Sequence, residues 1–366
     1  MINLNILNIF NTKNIVMSAT PPKPSLPKLK LKFKAEIKNN YGHLIVLIGI
    51  QGSGKSTYAQ TFVRENPTYK IMSRDQLKSK TIADMISIIQ TELLSGQNII
   101  VDNTSLTAEY QDMYRTLHSS FNTIKFIYIQ TTLEDAQIRV LCRAYDKYND
   151  IPRGLEDIKN PVWCKDPHIF PNFILSKAYK ELSIPYDAQT VVTPKPQFQQ
   201  FKQYTGKALF LDIDGTLRKT DHLPEKYPTD PSQIEPFTNL SVMTEVLNGY
   251  IKKGYQLIGI SNQSGISKKI VTHEIVQKCM EATRQLFKSS ELSLNEDNFP
   301  IYYCPHQSFP MVCYCRKPYS GLLVYACKKH QINPQLSVFV GDRKTDETCA
   351  KRMGIPFINS DKFFKN

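Results

Sequence analysis

Leu44-Ile-Val-Leu-Ile48 runs straight into Gly49-Ile-Gln-Gly52-Ser-Gly54-Lys55-Ser56-Thr57. The apolar run reads as a buried parallel strand, and Ser56 to Arg64 has helical character. A glycine-rich turn between such a strand and helix makes a phosphate cradle. Gly49, Gly52 and Gly54 let backbone N–H groups approach phosphate oxygens, and the helix N-terminus adds partial positive charge. Lys55 is expected on the β- and γ-phosphates of a nucleoside triphosphate, the Ser56 hydroxyl on its Mg²⁺, and Thr57 beside them. ATP and Mg²⁺ are therefore the expected cofactors.

Downstream, strands are expected at Asn98–Val101 and Ile124–Ile129, with a helix over Thr107–His118 between them. Helical patterns cover Leu133–Tyr145 and Pro171–Leu182. Alternating strands and helices imply an α/β domain with a parallel sheet. Asp75, in Ser73-Arg74-Asp75, and Asp102, in Asp102-Asn103-Thr104, fall where strands should end. Arg139 and Arg143, four apart, share a helix face suited to neutralising charge on a transferred phosphoryl group. Residues 187–206, rich in Gln, Pro, Thr and Lys, read as a linker. A second α/β pattern then begins, with strands Ala208–Leu211, Gln256–Ile260 and Ser337–Val340 each ending on polar residues. Ligands sit at such strand ends in open sheets.

The first half resembles the kinase part of phage-type polynucleotide 5′-kinase/3′-phosphatases. The shared features are the P-loop, Arg-Asp with a basic residue three places on, Asp-x-Thr, and a lid helix with paired arginines. The resemblance implies Asp75 as general base toward a 5′-hydroxyl and Asp102 as a substrate contact. It implies Arg139 and Arg143 as lid contacts to ATP. Lys78 stands where the family usually has an arginine holding the acceptor phosphate; lysine keeps the charge without the bidentate fork.

Leu211-Asp212-Ile213-Asp214-Gly215-Thr216 resembles the first motif of the haloacid-dehalogenase phosphatases. That resemblance implies Asp212 as nucleophile and Asp214 as the acid that protonates the leaving oxygen. Ser261 and Asn262 match its phosphate-binding second motif, and Lys317 its steadying charge. Asp342 is implied to complete a Mg²⁺ site with Asp212 and the backbone carbonyl of Asp214, with Asp346 behind them. Cys304-x-His306-x6-Cys313-x-Cys315 offers four ligands suited to a tetrahedral, structural Zn²⁺ that would fix the loop carrying Arg316, a candidate substrate contact, and Lys317. This loop, with Ser261-Asn262-Gln263-Ser264-Gly265-Ile266, is similar to the histidinol-phosphate and heptose-bisphosphate phosphatases, which usually carry Thr where Ser261 stands. The nearby aromatics Tyr302, Tyr303, Phe309 and Tyr314 are expected to pack the loop rather than to stack on bases.

The expected fold is α/β throughout: a P-loop kinase domain over 41–186, a linker over 187–206, and a haloacid-dehalogenase Rossmann-like domain over 207–366 with little or no cap. Residues 1–40 read as a basic disordered tail broken by four prolines, with a mitochondrial targeting peptide as the alternative. Net charge is +13, divided as +6 over residues 1–40, +1 over 41–200 and +6 over 201–366. Such excess suits a polyanion. Eight cysteines, three of them beside His306, read as metal binding in a reducing compartment, nucleus or cytoplasm. No apolar run is long enough to span a bilayer. The expected function is healing of nucleic acid ends, DNA or RNA: phosphorylation of a 5′-hydroxyl and hydrolysis of a 3′-phosphate. A separate ligase is expected, since no Lys-x-Asp-Gly motif is present. The competing expectation is a fused small-molecule kinase and sugar- or histidinol-phosphate phosphatase. A third, an end-binding protein without catalysis, is disfavoured by Lys55, Asp212, Asp214, Lys317 and Asp342.

Overall fold

The computed structural model describes residues 41–77, 81–153, 166, 168–288, 292–309 and 313–365. Lys78 and the basic tail lie outside them. Two five-stranded parallel sheets organise the chain, ordered β2-β3-β1-β4-β5 and β10-β9-β6-β7-β8, with β2 at Tyr69–Met72, β8 at Ile301–Cys304 and β10 at Phe357–Asn359. In the first, β1 (His43–Ile48) is central, between β3 (Asn98–Val101) and β4 (Thr123–Gln130). Its alternation shows why it is apolar throughout. Leu44, Val46 and Ile48 pack on one face with Met85, Ile89 and Leu93 of helix α2 (Ile82–Leu94). Ile45 and Leu47 pack on the other with Ala59 of helix α1 (Lys55–Glu65). A strand covered on both faces has no polar side to show.

The second sheet repeats the plan. β6 (Lys207–Leu211) is central, flanked by β7 (Tyr255–Asn262) and β9 (Val338–Gly341). Ala208 and Phe210 face one core, Leu209 and Leu211 the other. In both sheets the order reverses at the central strand, so a crevice opens at its C-terminal end. The glycine loop follows β1 and the aspartate pair follows β6. Between β6 and the helix at Leu240–Lys252, the chain forms turns and a short 3-10 segment at Pro231–Gln233 rather than a cap domain.

One expectation is corrected. Residues 187–206 are not a linker in conformation: β5 (Gln189–Val192) pairs in parallel with β4, and Pro196–Gln199 forms a helical turn. Polar composition concealed this strand because it is an edge, largely solvent-facing. A second finding follows from helix α4 (Leu133–Tyr148), capped by the Thr132 hydroxyl. Its Ile138, Leu141, Cys142 and Tyr145 pack in one core with Leu322, Val324, Ala326 and Cys327, which lie on or beside helix α8 (Gly321–Lys329) of the second sheet layer. The kinase and phosphatase halves share a hydrophobic core. (The labels α3, α5, α6 and α7 denote Ala108–Arg115, Asn172–Glu181, Leu240–Lys252 and His273–Gln285; α9 denotes Lys344–Arg352.)

Candidate active sites

At the first crevice Gly49, Gly52 and Gly54 take φ values of 154°, 77° and 102°. Gly52 is required twice over. Its φ is left-handed, and a Cβ there would lie 2.8 Å from the Ala136 carbonyl of α4. The loop therefore packs directly under the arginine helix. Lys55 is buried, its Nζ donating to the carbonyls of Gly49 (2.9 Å) and Ile50 (2.8 Å). Burial draws its pKa down to about 8, opposed by the nearby Asp102 carboxylate and aided by Arg143. A phosphate arriving at the loop would replace those carbonyls and stabilise the ammonium. Ser56 and Thr57 open α1, and both are exposed.

Beside the loop lies a cleft of about 840 Å³ lined by Gly52, Gly54, Thr57, Tyr58, Arg139 and Arg143, with Val192–Pro194. Its size suits a nucleotide. Arg139 donates to the Gly52 carbonyl (3.2 Å), Thr131 Oγ1 (2.8 Å), Thr193 Oγ1 (3.1 Å) and the Pro194 carbonyl (2.5 Å). It braces the cleft wall as much as it faces a ligand. Arg143 lines the same cleft and donates to the His168 carbonyl at a long 3.5 Å. Thr193 and Pro194 were hidden from sequence reading by the linker composition. Asp75 is exposed on a helical turn, Arg74–Leu77, just after β2 (Tyr69–Met72). Asp102 is partly buried just after β3, its N–H donating to the Met72 carbonyl at 2.9 Å. Both lie at strand ends on the P-loop edge of the sheet.

At the second crevice Asp212 and Asp214 are buried. Lys317 Nζ pairs with Asp212, donates to the Ile260 carbonyl at 2.7 Å, and lies 2.7 Å from Asp346 Oδ1. Burial would lower the Lys317 pKa, but the carboxylates of Asp212 and Asp346 outweigh it and raise it. Burial holds Asp212 well above the usual carboxylate range, against the pull of Lys317. Asn262 fixes the lysine's backbone from both sides, donating to its carbonyl (3.1 Å) and accepting from its N–H (3.0 Å). Asn262 thus acts on Lys317 as well as lining the crevice. Ser261 is buried and its Oγ accepts from Gln263 Nε2 at 2.8 Å.

Asp214 is held by Arg218, which the sequence reading passed over, and by Gln263, which it quoted in a motif without a role. Arg218 Nε donates to Oδ1 at 2.8 Å and Gln263 Nε2 to Oδ2 at 2.6 Å. Arg218 is itself fully buried and anchored on helix α7 by the Cys279 carbonyl and Thr283 hydroxyl. The i,i+4 spacing to Asp214 was its only sequence signal. Carboxylate oxygens of Asp212, Asp342 and Asp346 lie within 4.8 Å of one another, and Asp342 Oδ1 is buried with no hydrogen-bond donor among the described residues. An acceptor so placed needs a cation, and three hard oxygens fit Mg²⁺. Asp346, expected behind the ligands, lies among them.

The cysteine loop closes into a cluster. Ligand atoms of Cys304, His306, Cys313 and Cys315 all lie within 4.8 Å of one another. Cys304 and Cys313 sulfurs are 3.8 Å apart, and His306 Nδ1 is 3.3 Å from Cys304 and 3.2 Å from Cys315. Tetrahedral zinc with ordinary bond lengths would space sulfurs about 3.7 Å apart, so the donor set fits. The cluster's mutual hydrogen bonds split its thiols, drawing Cys313 below its usual range and pushing Cys315 above it, while burial pushes Cys304 up. Arg316 Nη1 donates to the His306 carbonyl at 2.9 Å and so closes the loop. Tyr314 is buried and Tyr302 and Tyr303 are half-buried, whereas Phe309 is 84% exposed, against the expectation that it packs the loop.

The folds and sites define a P-loop kinase domain followed by a haloacid-dehalogenase phosphatase domain. Residues 44–159 match the family model described as an AAA domain, and residues 207–366 that of polynucleotide kinase 3 phosphatase. A heptose-1,7-bisphosphate 7-phosphatase of Photorhabdus laumondii is 32% identical over 156 residues, 41% of this chain and 79% of its own length. That of Helicobacter pylori is 36% identical over 143 residues, 39% of this chain and 76% of its own. The chain belongs, through its C-terminal half, to the haloacid-dehalogenase phosphatase family of these enzymes, in the domain order of polynucleotide kinase/phosphatases. A solved structure of a Pnkp1/Rnl/Hen1 RNA repair complex covers 87% of this chain and 96% of its own, at 17% identity and a TM-score of 0.32. That likeness is too distant to bear on function.

Proposed function

We propose that the protein heals nucleic acid ends, transferring the γ-phosphate of ATP to a 5′-hydroxyl and hydrolysing a 3′-phosphate. One observation carries this reading: a phosphate-donor loop and a phosphatase centre occupy the switch points of two sheets in one chain, and the phosphatase half matches the polynucleotide kinase 3 phosphatase model over 207–366. The charge of +13 suits a polymeric anion. In the kinase, Lys55 and the loop N–H groups hold the phosphates, with Arg143 positioned along the cleft. Asp75 takes the proton of the acceptor hydroxyl as its oxygen bonds to the γ-phosphorus and the bond to ADP breaks. In the phosphatase, Asp212 attacks phosphorus and Asp214 protonates the departing 3′-oxygen. Asp214 then takes a proton from the water that opens the phosphoaspartate, and inorganic phosphate leaves. Asp212, Asp342 and Asp346 would hold Mg²⁺, which supplies charge neutralisation to the phosphoryl oxygens. Cys304, His306, Cys313 and Cys315 would hold one structural Zn²⁺. Joining of the healed ends falls to a separate ligase.

The heptose-bisphosphate relatives favour a second reading, a phosphatase for a small phosphorylated metabolite fused to a small-molecule kinase. The test is direct. An oligonucleotide with 5′-hydroxyl and 3′-phosphate ends, given ATP and Mg²⁺, should gain the first phosphate and lose the second. A heptose bisphosphate dephosphorylated faster than any oligonucleotide at low salt would overturn the polynucleotide reading. Metal analysis of protein purified without chelator should find one zinc per chain, and Cys313→Ser should release it.

A further inference from the structure

The Cys304-His306-Cys313-Cys315 loop belongs by sequence to the phosphatase half, yet Cys313, Tyr314 and Cys315 bond to the kinase half. The Cys313 carbonyl accepts from Asn172 Nδ2 at 3.2 Å, and Asn172 Oδ1 accepts from Gln137 Nε2 of α4 at 2.5 Å. The Tyr314 hydroxyl donates to the Phe170 carbonyl at 2.6 Å, and the Tyr314 N–H to the Arg153 carbonyl at 3.1 Å. Cys315 Sγ contacts the same carbonyl at 3.6 Å. Asn172 is 1% exposed and Tyr314 2% exposed, so these bonds are made away from water and breaking one leaves a partner unsatisfied. Three successive residues of the loop therefore grip the chain where it leaves α4, at Arg153, and where it enters α5, at Phe170 and Asn172.

Helix α4 has two working faces. Ile138, Leu141, Cys142 and Tyr145 are buried in the core shared with the phosphatase. Arg139, Arg143 and Asp146, about a third of a turn away, line the nucleotide cleft. Gly52 of the phosphate loop abuts the same helix at Ala136. A shift of α4 on its phosphatase side must move the arginines on the other. We propose that the metal-binding loop is a clamp between the halves: metal bound there positions α4, and with it Arg139 and Arg143, for nucleotide. Asn172 and Tyr314 are then positioning residues for the kinase reaction. This rests on the reading of the cluster as a metal site.

Zinc should be removed from the full chain with a chelator, and binding of a fluorescent ATP analogue compared before and after. Loss of metal should weaken nucleotide binding about tenfold, within the usual range of coupling between sites. Amide exchange should rise in residues 133–148 and 172–181. Linkage requires the reverse effect, so a non-hydrolysable ATP analogue should tighten zinc binding by the same factor. Tyr314→Phe keeps all four ligands and removes only the bond to Phe170. It should raise KM for ATP several-fold with kcat little changed, while hydrolysis of p-nitrophenyl phosphate is unaltered. Unchanged nucleotide affinity and unchanged exchange in zinc-free protein would overturn the proposal. So would a Tyr314→Phe variant with wild-type KM for ATP. Nucleotide binding can be read without any oligonucleotide, so the clamp can fail or hold independently of which acceptor the kinase uses.

Discussion

At the scale of single residues, the two chemistries depend on separate side chains. Lys55 is surrounded by its own loop, and Asp212 by Lys317 and the carboxylates of the second sheet. Lys55→Ala should lower 5′-phosphorylation on the order of 10² to 10³-fold, the usual loss when a group stabilising transition-state charge is deleted. It should leave phosphatase activity intact. Asp212→Ala should abolish dephosphorylation and spare the kinase. Assays of both activities on each folded variant check this, and loss of both from either change would sink the two-site account. The glycine loop and the Asp pair were legible because their chemistry demands fixed residue types at fixed spacing. Arg218 was not, because a buried arginine supporting Asp214 carries no motif, and Gln263 stood within a quoted motif without its contact to Asp214 being readable. Asp346 was underrated because sequence spacing does not say which carboxylate of a helix turn faces inward.

At the scale of elements, the end of α4 depends on one carboxylate. Asp166 Oδ2 accepts from Lys147 Nζ at 2.6 Å and from the Tyr148 hydroxyl at 2.8 Å, while Oδ1 accepts from the His168 N–H at 2.9 Å. Burial would raise its pKa, but these hydrogen bonds prevail and draw it down to about 2, from an unfolded value of 3.8. A carboxylate depressed on folding stabilises the folded state above its unfolded pKa, and that contribution disappears as pH falls through the folded one. Wild-type stability should therefore fall between about pH 4 and pH 2, and Asp166→Asn should be less stable at neutral pH with a flatter acid limb. Denaturant melts at stepped pH measure both. Buried strands such as β1 and β6 were readable as continuous apolar runs. The edge strand β5 was not, since Gln189 and Thr190 face solvent and only pairing with β4 makes them strand.

At the scale of the molecule, the halves are joined by packing as well as by chain. Besides the shared core, Arg352 of α9 pairs across the halves with Glu134 of α4 at 3.3 Å. Lys328 of α8 donates to Asp146 of α4 at 2.8 Å. Leu141, 1% exposed in that seam, should cost about 2 to 5 kcal/mol when cut to Ala. Calorimetry should show one transition for the wild type and two for Leu141→Ala; two in the wild type would refute the shared core. Charge acts at this scale too. If the excess of +13 serves a polymeric substrate, phosphatase efficiency on a 3′-phosphorylated oligonucleotide should fall steeply with salt. Removing residues 1–40, which carry +6, should flatten that dependence, while turnover of a sugar phosphate stays nearly insensitive.

The seam between α4 and α8 also bears on how such a chain can be divided. Cut near residue 206, each fragment would keep a complete parallel sheet, one with the glycine loop and the other with the aspartate pair. Each would also bare a greasy stripe: Ile138, Leu141 and Cys142 on one, Leu322, Val324 and Cys327 on the other. Exposed apolar patches of this kind drive association. The separated halves should precipitate or self-associate when made alone and stay in solution when made together. Protein of either half recovered soluble and monodisperse by itself would show that the seam is dispensable.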